Sequence, residues 1–101
     1  MLYEAKVTIA VTGTAIPLSS VRAGATWVQV QSLSTNNAAG QNLGGADVTG
    51  PGGGGSKPGA IMAPGGTMFL PQTESPTPYD LQTIFVNGTV GDVFSVLYFR
   101  R

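Results

Sequence analysis

"LQTIFVNGTVGDVFSVLYF", residues 81–99, decides the fold. Two apolar runs, residues 81–86 and 93–100, flank Asn87-Gly88. An Asn-Gly pair between apolar runs is a strong hairpin signal, because both residues tolerate positive φ. The second run is apolar on both alternations: one set is Val93, Leu97 and Phe99, the other Phe94, Val96 and Tyr98. Strand side chains point to opposite faces in turn. One face is therefore expected in a core, shared with Ile84 and Val86, and the other against a neighbouring chain or layer.

Working outward, the same two-residue period recurs. Tyr3, Ala5, Val7, Ile9 and Val11 alternate with Glu4, Lys6, Thr8 and Thr12, which predicts a half-buried strand ended by Gly13. Residues 26–33 alternate again, with Val28 and Val30 on one side and Trp27, Gln29 and Gln31 on the other. Asn36, Asn37 and Gly40 predict a turn. Gly44 and Gly45 suggest a bulge or a close backbone approach. Pro64-Gly65-Gly66 separates two short apolar runs, and Pro71, Pro76 and Pro78 predict an extended loop over residues 72–78. No window offers a helical apolar repeat free of glycine and proline. The pattern predicts an all-β chain: one small antiparallel β-sandwich or jelly-roll-like barrel of about seven short strands, filling residues 1–101 as a single domain.

The glycine-rich stretch "TGPGGGGSKPGA", residues 49–60, admits three readings. A phosphate loop requires lysine after glycine and Ser or Thr after lysine; here Ser56 precedes Lys57 and Pro58 follows it. An interdomain linker fails on size, since neither flank could bury enough surface alone. A long excursion between two strands of one sandwich remains. Ordering glycines is entropically costly, so the expectation is that residues 50–59 are ordered by something outside the subunit. In that reading Gly52, Gly53, Gly54 and Gly55 allow close backbone approach, and Lys57 meets an acidic neighbour.

Catalytic chemistry finds few candidates. The chain has no histidine and no cysteine, so serine lacks its usual base and a zinc site its usual ligands. The five acids Glu4, Asp47, Glu74, Asp80 and Asp92 are scattered singly. No enzyme, cofactor or metal is expected. Five basic residues balance the five acids, which offers no positive face for nucleic acid. No stretch reaches the length needed to span a bilayer, and the N-terminus lacks the basic-then-apolar layout of a signal peptide. Only 10% of residues are charged, far below the usual quarter or so, which suggests that much of the surface lies against other protein. Arg100 and Arg101 read either as a solvated tail or as an anchor on an acidic neighbour.

The order of the pieces resembles a known group. "WVQVQSLSTNNAAGQNLGGADVT", a glycine-rich connection, "APGGTMFLP" and "YDLQTIFVNGTVGDVFSVLYF" together resemble the small β-sandwich virion proteins of tailed bacteriophages, over residues 27–99. The run 52–55 is longer than that pattern requires. The resemblance implies a capsid decoration (cement) subunit on the virion surface, a homotrimer whose partner is the major capsid protein or another virion protein. Tyr98 joins the glycine loop and the terminal arginines as expected contact residues. The alternative it implies is a head-fibre, tail or baseplate module binding a receptor or carbohydrate, with Trp27, Tyr79 and Phe85 as stacking residues.

Overall fold

The computed structural model describes residues 1–53, 55–71 and 79–100. Among them lie ten strands and one 3-10 turn, and no α-helix: β1 (Leu2–Thr8), β2 (Ile16–Pro17), β3 (Gly24–Ala25), β4 (Trp27–Ser32), β5 (Gln41–Gly44), β6 (Ala60–Met62), β7 (Thr67–Leu70), β8 (Tyr79–Asp80), the turn Leu81–Thr83, β9 (Phe85–Asn87) and β10 (Val93–Phe99). Seven strands are three residues or longer, as the alternation predicts. The additional ones, β2, β3 and β8, are two-residue pairings too short to leave a periodic signal. The extended loop expected over residues 72–78 falls outside the described residues.

The strands form two four-stranded antiparallel sheets, ordered β1-β10-β4-β7 and β2-β9-β5-β6, with β3-β8 as a separate ribbon. This is a small β-sandwich. Its core takes the inward alternation of both sheets: Val7, Val28, Val30, Phe94 and Val96 from the first, Leu43, Met62 and Val86 from the second, with Ala25 from the β3-β8 ribbon and Ile9, Leu18 and Leu81 filling in from the connections. Phe94 is fully buried and is the largest of these side chains. β1 lies at an edge, so only Val7 of its inward set is covered, while Tyr3 and Ala5 stay exposed. Val11, expected on that face, lies beyond the strand end and is exposed.

The Asn87-Gly88 segment departs from expectation. It joins β9 to β10, which belong to different sheets, so it is a crossover rather than a hairpin turn. The reason lies in its side chains. Asn87 Nδ2 donates to the carbonyls of Val48 (2.9 Å) and Gly13 (3.2 Å), drawing the chain toward other loops instead of back along β9. The crossovers β1–β2, β4–β5 and β6–β7 gather at the same end: Gly13 donates to the Gly88 carbonyl, Ile9 to that of Asp92, and Ser32 exchanges two backbone hydrogen bonds with Gly65 and Gly66.

That end is held by buried amides. Asn36 Nδ2 donates to Ser32 Oγ (2.9 Å) and to the Val93 carbonyl (2.8 Å), while its Oδ1 accepts from the Val93 amide. Ser32 Oγ donates to Gln41 Oε1, and Gln41 Nε2 donates to the Asn37 carbonyl and to Asp92 Oδ2. Asp92 also accepts from the Asn37 and Thr89 amides. Ser32, Gln41, Asn42, Asn87 and Asp92 are all nearly inaccessible to water. Among the described residues no buried side-chain polar atom is left without a partner. A fully satisfied network of this kind fixes a single arrangement, because any slip would strand donors in low dielectric.

Candidate interaction surface

The glycine-rich excursion is ordered from within the chain. Asn42, fully buried on β5, donates through Nδ2 to the carbonyls of Gly52 (2.9 Å) and Pro58 (2.7 Å) and accepts from the Gly52 amide at 2.9 Å. The base of the loop is closed where Thr49 donates to the Lys57 carbonyl and Lys57 donates to Thr49 Oγ1. At two of its glycines a positive φ coincides with a backbone clash. Gly52 has φ +72° and a Cβ there would stand 2.5 Å from the Ala39 carbonyl; Gly59 has φ +60° and a Cβ would meet the Leu43 carbonyl. The loop thus has a clamp inside its own chain, supplied by a buried amide that local sequence did not single out.

Lys57 likewise finds its acid in its own chain. Its Nζ lies 2.5 Å from Asp47 Oδ2, both side chains largely exposed. The pairing holds the Asp47 carboxyl below its ordinary range and raises Lys57 above its own, in each case first through the shared hydrogen bond and then through the opposite charge. Gly52 is buried in the loop; Gly53, Gly55 and Lys57 are exposed on it. Gly54 and Arg101 lie outside the described residues.

The C-terminal strand sorts its two faces. Phe94 and Val96 enter the core, and Tyr98 on the same side packs half-buried against it, stacked on Tyr3 at 5.5 Å between ring centres. Tyr98, expected as a contact residue, thus faces inward because its alternation is that of Phe94. Arg100 is exposed, its guanidinium 5.7 Å from the centre of the Tyr3 ring.

The outward side of the first sheet carries what the sequence assigned elsewhere. Register places Leu2, Phe99 and Trp27 in one row, and Glu4, Leu97, Gln29 and Phe69 in the next. Trp27 stacks near-parallel on Phe99 (6.3 Å, 14°) and leans on Phe69 at 5.8 Å. Leu2 and Phe69 are each 54% exposed and Phe99 37%. This is a contiguous apolar patch on a sheet face with no second layer over it among the described residues. Phe69 is the member that sequence reasoning passed over. The signal was present in "TMFL": with Met68 and Leu70 inward, alternation turns Phe69 out.

Trp27, Tyr79 and Phe85 are not brought together. Trp27 is on the outer face of the first sheet. Phe85 is on the outer side of the second, since its neighbour Val86 is buried. Tyr79, on the β3-β8 ribbon, packs against the core while its hydroxyl donates to the Pro71 carbonyl. No group of three or more acidic side chains that could hold a metal occurs among the described residues. Asp80 is occupied structurally: it caps the 3-10 turn by accepting from Gln82 (3.0 Å), accepts from Ala23 (3.2 Å), and pairs with Arg22. The Gln82 hydrogen bond, with those of Ala23 and the Arg22 charge behind it, lowers the Asp80 carboxyl below its ordinary range. Comparison with known proteins finds no family, no curated protein and no solved structure that matches this chain.

Proposed function

We propose that the chain is a non-enzymatic structural subunit of a tailed-phage virion, a capsid decoration protein that binds the capsid lattice and self-associates symmetrically. The observation that carries this reading is the exposed row Leu2–Phe99–Trp27 with Phe69 beside it. An apolar patch of that kind on a small neutral subunit favours burial against another protein surface. The low charge and the sequence resemblance support the same class of role. Aromatic residues are the usual energetic centres of such contacts.

A second reading rests on one specific feature. Trp27 and Phe99 lie within 14° of parallel, and flat aromatic pairs can stack on sugar rings, as a fibre or tail module would require.

The two are separated by mixing the protein with empty capsids of the phage that carries it, and in parallel with a panel of glycans. The decoration reading expects co-sedimentation with capsids that Phe69→Ser and Phe99→Ser abolish, and no glycan binding. Glycan binding lost in the same variants, without capsid binding, overturns it.

A further inference from the structure

The free edge of β1 carries an inference that stands apart from whatever larger surface the protein binds. We propose that two copies of the chain join β1 to β1 about a two-fold axis through Ala5, making one continuous antiparallel sheet.

The backbone parity is set by β10. Ile9 donates to the Asp92 carbonyl, and Arg100 donates to the Met1 carbonyl. Odd residues of β1 therefore direct their N–H and C=O groups at β10, and even residues, Leu2, Glu4, Lys6 and Thr8, direct theirs at the open edge. Among the described residues β1 is the outermost strand of its sheet. It contains no proline and no bulge, and its seven-residue register against β10 is unbroken. Such an edge is a template for another strand unless something blunts it.

Side-chain charge selects both the occupant and the register. An edge lysine ordinarily repels a second copy, but here Glu4 stands two positions from Lys6 on the same outward face. With Ala5 opposite Ala5 of the second copy, Glu4 faces Lys6 and Lys6 faces Glu4. Leu2 then faces Thr8, and Tyr3 faces Val7 across the inward side. All the pairs between even residues are hydrogen-bonded pairs, each exchanging two backbone bonds, as the parity demands. Opposite charges directly across strands stabilise pairing and like charges disfavour it. Moving the axis by half a residue sets even residues against odd ones, whose backbone groups are already used. Moving it by one residue sets Glu4 against Glu4 or Lys6 against Lys6, and moving it by two, to Tyr3 or Val7, leaves no opposite charges across the edge. The edge thus fits itself in one register, and the symmetry is two-fold where the sequence resemblance implies three-fold. The same contact covers Ala5 and Tyr3, which the second sheet leaves exposed.

The test uses the full chain and charge reversal, with mass measured by light scattering over a dilution series. The wild type is expected to dimerise. Lys6→Glu alone and Glu4→Lys alone place like charges at both symmetry-related contacts and should each weaken dimerisation about tenfold or more. The double variant Glu4→Lys/Lys6→Glu restores opposite charges in the same register and should recover dimerisation to near wild type. Both side chains are exposed, so melting temperatures of the variants diluted to monomer should stay together. In the dimer, hydrogen exchange should protect the even amides of β1 as well as the odd ones. A monomer at every concentration, a trimer, or a dimer indifferent to the single reversals overturns the proposal; so does a double variant no better than the singles.

Discussion

Gln41 Nε2 donates to Asp92 Oδ2 at 3.0 Å in a site closed to water, and this one bond joins the first residue of β5 to the last residue before β10. It therefore ties together two crossovers that are 51 residues apart. Asp92→Ala would leave the Gln41 amide and the Asn37 and Thr89 N–H groups without their acceptor. Each buried orphan costs about 1–3 kcal/mol, so this variant should be among the most damaging single changes. Urea denaturation is the measurement. A loss below about 1 kcal/mol would mean that the network relaxes or admits water.

The glycine loop should respond to one buried amide. Asn42→Ala removes the acceptor of the Gly52 amide and the donor to the Gly52 and Pro58 carbonyls. Hydrogen exchange at Gly52 should accelerate by an order of magnitude or more, given about 1 kcal/mol or above per lost bond. Amides of β10 should hold their rates unless the whole domain opens. Equal acceleration at both places would show that the loop and the core open as one unit.

Phe94 and Phe99 should differ in kind. Phe94 is fully buried, so Phe94→Ala is expected to cost about 3–5 kcal/mol, and near 100 residues each kcal/mol lowers Tm by about 4–8 °C. Phe99→Ala removes a surface ring and should change Tm only slightly while weakening partner binding. Tyr98→Ala, half-buried against the core, should fall between them in stability. Differential scanning calorimetry paired with a binding assay distinguishes the three.

Acid should loosen the β3-β8 ribbon. The Asp80 carboxyl is lowered, first by its Gln82 hydrogen bond and then by those of Ala23 and the Arg22 charge. A lowered folded-state pKa contributes stability that is complete above the unfolded value of about 3.9 and fades as pH falls through the folded one. Stability should therefore decline from roughly pH 5 downward, and Asp80→Asn should flatten part of that decline. The Asp47–Lys57 pair, exposed on both sides, should add little and lose that little in salt. Acid melts of Asp80→Asn and Asp47→Asn, run side by side, check the ranking.

Legibility followed the length of the periodic signal. β1 and β4 alternate over six or seven residues, and their inward sets could be read directly; β10 is apolar on both alternations, so its inward set, Phe94 and Val96, emerges only from the packing. Asn87-Gly88 misled because a turn dipeptide reports local backbone freedom and not which sheet the next strand joins. That choice is made by Asn87, Gln41 and Asp92, side chains whose partners lie dozens of residues away. The candidate surface was half legible for the same reason. Trp27 and Phe99 were visible as residues, but their adjacency depends on the β4-β10 register. Lys57 could be seen as a free cation seeking an acid, whereas its closeness to Asp47 follows from Thr49 and Asn42 folding the loop back.

The pairing of Leu2 with Phe99 sets the order in which the molecule can be made. Strands β4, β7, β5 and β6 lie within 44 residues of one another in sequence and can meet early. β1 must wait for β10, its one neighbour in the sheet among the described residues. Contacts of such wide sequence separation slow folding. On a ribosome, β1 must wait as an unpaired segment until residue 99 has left the exit tunnel. During that interval its exposed leucine and tyrosine are what a holding chaperone would meet, and β10, buried on both flanks once placed, is the strand that locks the sheet.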